Sequence, residues 1–282
     1  MNGTDRAGDR VVARSCPLCG QSCGAPFLRE PWSWVRCGCG LIFKTAEPAD
    51  AATRDEYGEN YFETYRRRRR HRIAKARRQI RDALEHTPPG PLLDVGCSLG
   101  YALEAARSLG LESCGVDVSE HAVASCRGLG FDARAGTLEA LPFADAAFSV
   151  VLMKHVLEHT PQPQRALAEA SRVLAPGGAL FVAVPNADYF KAAAWPQTSR
   201  FFRGEGGRAH YVYYTPVTLA RLLGQQGFRV AQVHPHLVHR RTPAVRRMLE
   251  LVSAPVRYIA QAIANRCGLR KEFWIVAVRE NR

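Results

Sequence analysis

Apolar residues follow two rhythms along the chain, and the change between them divides it. From residue 91 onward, short apolar runs alternate with stretches whose apolar positions recur every three or four residues. The runs predict strands at 91–95, 112–117, 131–136, 147–153, 179–184, 229–234 and 273–278, with helices at 99–109, 120–129, 163–174 and 216–226. Strands separated by helices of this length need right-handed crossovers. The expected fold class is therefore α/β, a doubly wound, mostly parallel seven-stranded sheet.

Two stretches break the alternation. Residues 186–214 are aromatic and contain glycine, and read as a lid or an acceptor-binding insertion. Residues 240–267 form a second insertion, in which Val245, Met248, Leu249, Val252, Val256, Ile259 and Ile263 make an apolar stripe flanked by arginines. That stripe suits packing on the sheet, a dimer partner or, through 243–265, peripheral contact with an anionic membrane surface.

Before residue 91 the pattern changes. Ile73, Ala76, Ile80, Ala83 and Leu84 give a helix one buried stripe, and Thr87-Pro88-Pro89-Gly90 ends it. The expected organisation is a small zinc ribbon over 1–48, a helical connector over 49–88, and the α/β domain over 89–282.

The ribbon reading rests on cysteines. Five of the nine, Cys16, Cys19, Cys23, Cys37 and Cys39, fall within the first 39 residues, where little apolar sequence is available for a core. A C-x-x-C pair lets two thiolates reach one tetrahedral ion, so Cys16, Cys19, Cys37 and Cys39 are the expected ligands of a structural zinc. The second pair is one residue tighter than the usual spacing, which keeps Cys23 open as a substitute.

Charge widens the choice of partners. The net charge is +13 and only five of the 39 basic residues are lysine, an excess of arginine that genome base composition can also produce. Residues 66–81 hold the densest basic run. It has no interleaved stacking aromatics, which argues against nucleic acid. No run of about 18 apolar residues occurs and the first 14 residues are polar, so the expected location is cytoplasmic, with peripheral contact at the inner membrane face if the 243–265 stripe docks there. The pattern sets no oligomeric state.

The densest chemistry lies at 92–100. Leu92-Leu93-Asp94-Val95-Gly96-Cys97-Ser98-Leu99-Gly100 reads as strand, tight turn and helix start. Its glycines let backbone pass close to a ligand, and the helix start offers amide donors. Gly115-Val116-Asp117 ends the next strand, 23 residues beyond Asp94, where a carboxylate can accept from two ribose hydroxyls. Asp94 would repel a pyrophosphate but suit a sulfonium and an amino-acid tail, and the third glycine of a dinucleotide site is missing.

With these residues the chain resembles the class I S-adenosylmethionine-dependent methyltransferases. Leu141-Pro142-Phe143, Phe148-Ser149-Val150-Val151, His155-Val156-Leu157-Glu158-His159 and Arg172-Val173-Leu174-Ala175-Pro176-Gly177-Gly178 look like further landmarks of that family. The resemblance implies a Rossmann-like fold and S-adenosyl-L-methionine as cofactor. Asp94, Gly96 and Gly100 would hold the methionine end, Asp117 the ribose, and the backbone near Leu138 the adenine, with Cys97, Val118 and Lys154 completing the cofactor-binding set. Departures are Ser98 for a glycine, Thr137 where an aspartate is common, and Ser149 for another aspartate. The N-terminal cysteines followed by Gly40-Leu41-Ile42-Phe43 and Tyr61-Phe62 resemble a zinc ribbon found in some bacterial methyltransferases.

Methyl transfer places a nucleophile in line with the sulfonium, and a hydroxyl acceptor also needs a base. His155 and His159 follow the fourth strand at the edge expected to face the cofactor, and His210 sits in the 186–214 insertion, which makes these three the catalytic candidates. The expected reaction is O-methylation, or C-methylation, of a sugar, lipid-linked or secondary-metabolite acceptor. The competing readings are an RNA methyltransferase that grips phosphates with the ribbon and basic helix, and a zinc-ribbon adaptor with no catalysis.

Overall fold

The computed structural model describes residues 9–22, 24–29, 32–48, 66–189, 200–203, 208–234 and 271–280. Cys23, Tyr61-Phe62, much of the 186–214 insertion and the 243–265 stripe lie outside them. The chain divides into two compact units. One joins Met1–Ala52, Val184–Leu219 and Val233–Trp274, and the other joins Thr53–Ala183, Ala220–Gln232 and Ile275–Arg282.

In the first unit, β1 (Asp9–Val11), β2 (Ser33–Arg36) and β3 (Ile42–Pro48) form an antiparallel sheet in the order β1-β3-β2. Late chain completes it. Strand β9 (Val212–Tyr213) pairs antiparallel with β3, Ile42 opposite Tyr213 and Phe43 opposite Val212. The described parts of the 186–214 insertion thus supply core to the ribbon's own unit: Phe202 and Tyr213 join Leu28, Trp32, Trp34, Ile42 and Ala187 in one buried cluster. Phe202 meets Trp34 and Tyr213 edge-on at 5.5 and 5.1 Å, an arrangement that aligns ring edges with ring faces.

The second unit carries the α/β pattern. Helix α1 (Arg69–Leu84) precedes β4 (Leu92–Val95), α2 (Tyr101–Arg107), β5 (Ser113–Asp117), α3 (Glu120–Gly128) and β6 (Asp132–Ala135). Then come β7 (Phe148–Lys154), a 3-10 turn (Leu157–His159), α4 (Pro163–Val173) and β8 (Leu174–Pro185). In the first unit a short helix α5 (Arg200–Arg203) precedes β9, and along the chain α6 (Pro216–Gln225), β10 (Phe228–His234) and β11 (Glu272–Arg279) follow it. The seven-stranded sheet runs β10-β11-β8-β7-β4-β5-β6. The pairs β4–β5, β4–β7, β5–β6 and β7–β8 are parallel.

Strand order reverses beside β4, because β5 lies on one side of it and β7 on the other. A crevice opens at such a switch point above the carboxyl ends of the strands. Strand β4 is buried along its whole length, as expected of a central parallel strand covered on both faces. Strand β8 starts at Leu174, five residues before the expected Ala179, because Ala175-Pro176-Gly177-Gly178 reads as a turn in sequence yet continues the strand.

Candidate active site and metal centre

The turn after β4 is shaped by what its residues lack. Gly96 has φ +75°, and a Cβ built on it would lie 2.3 Å from Val156 Cγ1. Gly100 has φ +74° and caps α2, and a Cβ there would press on Cys126 Sγ at 3.1 Å. Both positions therefore demand glycine by conformation and by space. The N–H groups of Gly96 and Cys97 both donate to Val116 O, at 2.8 and 3.1 Å, tying the turn to β5. The Cys97 side chain is buried with Leu103, Val123, Cys126, Phe131 and Ala133, so its backbone faces the turn while its thiol belongs to the core.

Asp117 closes the turn from the neighbouring strand. Its Oδ2 accepts the Ser98 N–H at 2.8 Å and its Oδ1 accepts the Ser119 N–H at 2.9 Å. Val118 beside it is 58% exposed, an apolar surface next to a carboxylate. Asp94 is buried at the tip of β4, and burial pushes its carboxyl up to about 7; Lys154 opposes that rise and Asp117 adds to it.

The loop carrying Leu138 is held at several points. Thr137 bridges Ala140, the Thr160 hydroxyl donates to Glu139, and Leu141 N–H donates to Glu169 at 2.9 Å. Arg172 donates to the carbonyls of Leu141 and Phe143 at 3.0 and 2.8 Å while pairing with Glu169 and Asp145. The Arg172 guanidinium holds the Glu169 carboxyl below its ordinary value. Leu138 itself is half-buried.

Strand β7 lies parallel to β4, with Met153 opposite Val95, so Lys154 and His155 emerge at the same edge as Gly96. His155 has φ +55°, an uncommon conformation for a non-glycine residue and one found at functional positions. Its Nδ1 lies 3.3 Å from Oε1 of the fully buried Glu158. His159 ends the 3-10 turn, its N–H donating to Val156 O at 3.0 Å. His210 belongs to the first unit, where its Nδ1 lies 3.0 Å from the Tyr213 hydroxyl.

In the first unit the four expected cysteines converge. The Cys16 and Cys39 sulfurs are 3.7 Å apart, those of Cys19 and Cys37 are 3.5 Å apart, and all four lie within 4.8 Å of one another. A tetrahedral Zn–S length of about 2.3 Å requires S–S edges of about 3.8 Å, so this set fits the ion. Each half is a tight turn ended by a left-handed glycine, with Gly20 N–H donating to Cys16 O and Gly40 N–H to Cys37 O. The short Cys37-Gly38-Cys39 spacing thus closes as well as the Cys16–Cys19 turn does.

The same unit holds a buried lysine that sequence reasoning missed. Lys44 and Glu47 are buried and paired at 3.2 Å. The ammonium also donates to Arg208 O at 2.8 Å and lies 4.6 Å from the Tyr211 ring centroid. It clamps the segment leading to β9 onto β3.

A model of the methyltransferase domain family matches residues 65–233, more than half of the chain. The chain belongs to that methyltransferase family. The ubiquinone biosynthesis O-methyltransferase of Parvibaculum lavamentivorans is 37% identical over 100 residues, which cover 33% of this chain and 40% of that protein. The enzyme of the same name from Burkholderia pseudomallei is 26% identical over 188 residues, covering 63% of this methyltransferase and 80% of that protein. A crystal structure of a SAM-dependent methyltransferase from Archaeoglobus fulgidus matches with a TM-score of 0.56 at 21% identity, over 79% of this chain and all of that one. By family the protein carries a methyltransferase domain, and its fold is the Rossmann-like one of the SAM-dependent methyltransferase from Archaeoglobus fulgidus. No helix among the described residues is long and apolar enough to cross a membrane.

Proposed function

We propose that this methyltransferase O-methylates a small hydroxylated acceptor, with His155 as the base. The observation that carries this reading is the position of His155. It stands between Lys154, whose charge reaches Asp94, and Val156, whose Cγ1 fills the space above Gly96. A histidine there adjoins the turn that would hold the cofactor. The names of the two ubiquinone biosynthesis O-methyltransferases support oxygen as the acceptor atom. A sugar, a secondary metabolite or a lipid-linked hydroxyl all fit the same chemistry.

Bound S-adenosylmethionine supplies an electrophilic methyl group on a sulfonium. The backbone of Gly96 and Gly100 makes room for its methionine end, with Asp94 as the counter-charge for its cation. Asp117 takes the ribose hydroxyls, and Val118 and the backbone at Leu138 take the adenine. Val156 and Leu157 exclude water on the β7 side. Glu158 accepts from Nδ1–H of His155, which fixes the tautomer and leaves the Nε2 lone pair to take the acceptor's hydroxyl proton. With that proton on His155, the acceptor oxygen would be the nucleophile for the methyl group that the cofactor would supply, with the neutral thioether as leaving group. His159 and His210 are the other candidates for this proton. Cys16, Cys19, Cys37 and Cys39 would hold a structural zinc that supplies folding energy to the ribbon rather than chemistry to the transfer.

The test measures transfer of labelled methyl to a panel of catechol, phenol and sugar acceptors, with cofactor affinity measured in parallel. His155→Asn should lower turnover by about 100-fold, in the range of a lost general base, while changing cofactor affinity less than threefold. Turnover that survives in His155→Asn and collapses in His159→Asn or His210→Asn would reassign the base. Products methylated on carbon would replace the O-methyl reading.

A further inference from the structure

Helix α1 carries charge in its first turn, where intrinsic helix electrostatics disfavours it, whereas Arg81 in the last turn lies at the favoured end. Its first turn has no acidic residue, Arg68 at the N-cap position makes no side-chain cap, and the segment opens with a run of arginines. Cations at a helix N-terminus oppose the positive end of the macrodipole. Like charges three or four residues apart add repulsion. Neither arrangement helps the first turn form.

Burial is supplied by the opposite face, where Ile73, Ala76, Gln79, Ile80 and Ala83 pack inward. At 100° per residue, Arg70, Arg78 and Arg81 fall within an arc of about 80° pointing away from that face, with only Ala74 between them. Arg69 and Arg77 are engaged at the flank with α2, Arg69 donating to both carboxylate oxygens of Glu104 at 2.6 Å and Arg77 to Ser108 at 3.1 Å. Arg67, Arg68, Arg70, Arg78 and Arg81 are exposed and make no ion pair among the described residues. The pairs on the flank fix the helix and the outward cations stay turned to solvent.

We propose that this outward arginine face docks the methyltransferase onto an anionic phospholipid surface. Charge complementarity identifies the partner. The face is a row about 16 Å long from Arg70 to Arg81, at 1.5 Å per residue, with guanidinium groups suited to phosphate oxygens. It has no aromatic residue to stack on a base, and apart from His71 its exposed polar groups between 66 and 81 are all cationic. An array that contacts phosphate and reads no base matches a lipid headgroup layer, on which each arginine adds about fivefold in affinity.

The experiment is flotation of the full chain with vesicles of phosphatidylglycerol and phosphatidylcholine, and with vesicles of phosphatidylcholine alone. The protein should float with the anionic vesicles only, and binding should weaken as salt rises from 50 to 300 mM. Arg70→Gln, Arg78→Gln and Arg81→Gln together should weaken it by about 100-fold, while helix content and S-adenosylmethionine affinity stay at wild-type values. Equal binding to both vesicle types, binding to neither, or a triple variant that floats like wild type overturns the proposal. So does tighter binding to duplex RNA than to anionic vesicles at equal phosphate concentration. Loss of cofactor binding in the unaltered chain would strike the methyltransferase assignment and leave this surface to be judged by its own arm.

Discussion

The Ser98 N–H donates to Asp117 Oδ2 at 2.8 Å, so the residue expected to hold the ribose also holds the cofactor turn in shape. Ser98 stands at φ +49°, where the family resemblance expects glycine, and this hydrogen bond helps stabilise that strained backbone. Asp117→Ala should remove the turn's anchor and the ribose contact together, lowering cofactor affinity about 100-fold by calorimetric titration, as expected for two lost charge-assisted hydrogen bonds. A Ser98→Gly change in the Asp117→Ala background should recover part of the loss, because glycine adopts positive φ without that bond.

Gly96→Ala places a methyl in the space of Val156 Cγ1 as well as straining φ. It should destabilise the protein by about 2–3 kcal/mol in denaturant unfolding. Adding Val156→Ala should return the steric part alone, so the two changes should couple by more than about 0.5 kcal/mol. Strict additivity would show that Val156 does not pack over the turn.

Asp94 links pH to both folding and binding. Its folded-state carboxyl lies at about 7, above its ordinary value, so the folded protein binds more protons than the unfolded chain between about pH 4 and 7. Its contribution to stability is therefore fully favourable below that window, declines as pH rises through it, and is lost above pH 7, by at most about 4 kcal/mol. Cofactor affinity runs the other way, because the cationic methionine end prefers the carboxylate. It should rise towards pH 7 and then level off, with a proton released on binding below pH 7. Asp94→Asn should melt higher than wild type at pH 8 and lose at least tenfold in affinity, as calorimetry at pH 5.5 to 8 would show.

Freshly purified protein should contain one zinc per chain by elemental analysis. Cys16→Ser with Cys19→Ser should abolish it and expose the first unit's core, seen as a tryptophan fluorescence shift from Trp32 and Trp34, which are buried together in that unit. Unchanged fluorescence on metal loss would mean that the ribbon folds without the ion.

The α/β strands were legible in sequence because each is a local apolar run, and Leu92–Val95 or Phe148–Lys154 need no distant partner to be recognised. That Cys16, Cys19, Cys37 and Cys39 would converge was legible from spacing. Other parts depend on contacts that a linear pattern does not carry. Nothing in the linear pattern marks Lys44, and only the fold shows that Glu47, Arg208 and Tyr211 surround it. Glu169 and Arg172 look like an ordinary ion pair on a helix, yet they hold the loop carrying Leu138 by its backbone. Cys97 was legible as part of the turn, but its inward thiol was not.

The pairing of Ile42 and Phe43 with Tyr213 and Val212 also sets an order of events during synthesis. A ribosome delivers all four clustered cysteines by residue 39, but the strand that completes β3 arrives only at residues 212–213, after β4 to β8 have been made. Closing so long a loop costs entropy that no local contact offsets, so the ribbon's core waits on chain beyond the central strands. Until then part of one edge of β3 is an unpaired strand edge beside buried-type aromatics, the kind of surface that invites pairing with another chain. A nascent chain stalled between residues 48 and 212 therefore presents an edge of β3 that the finished fold covers.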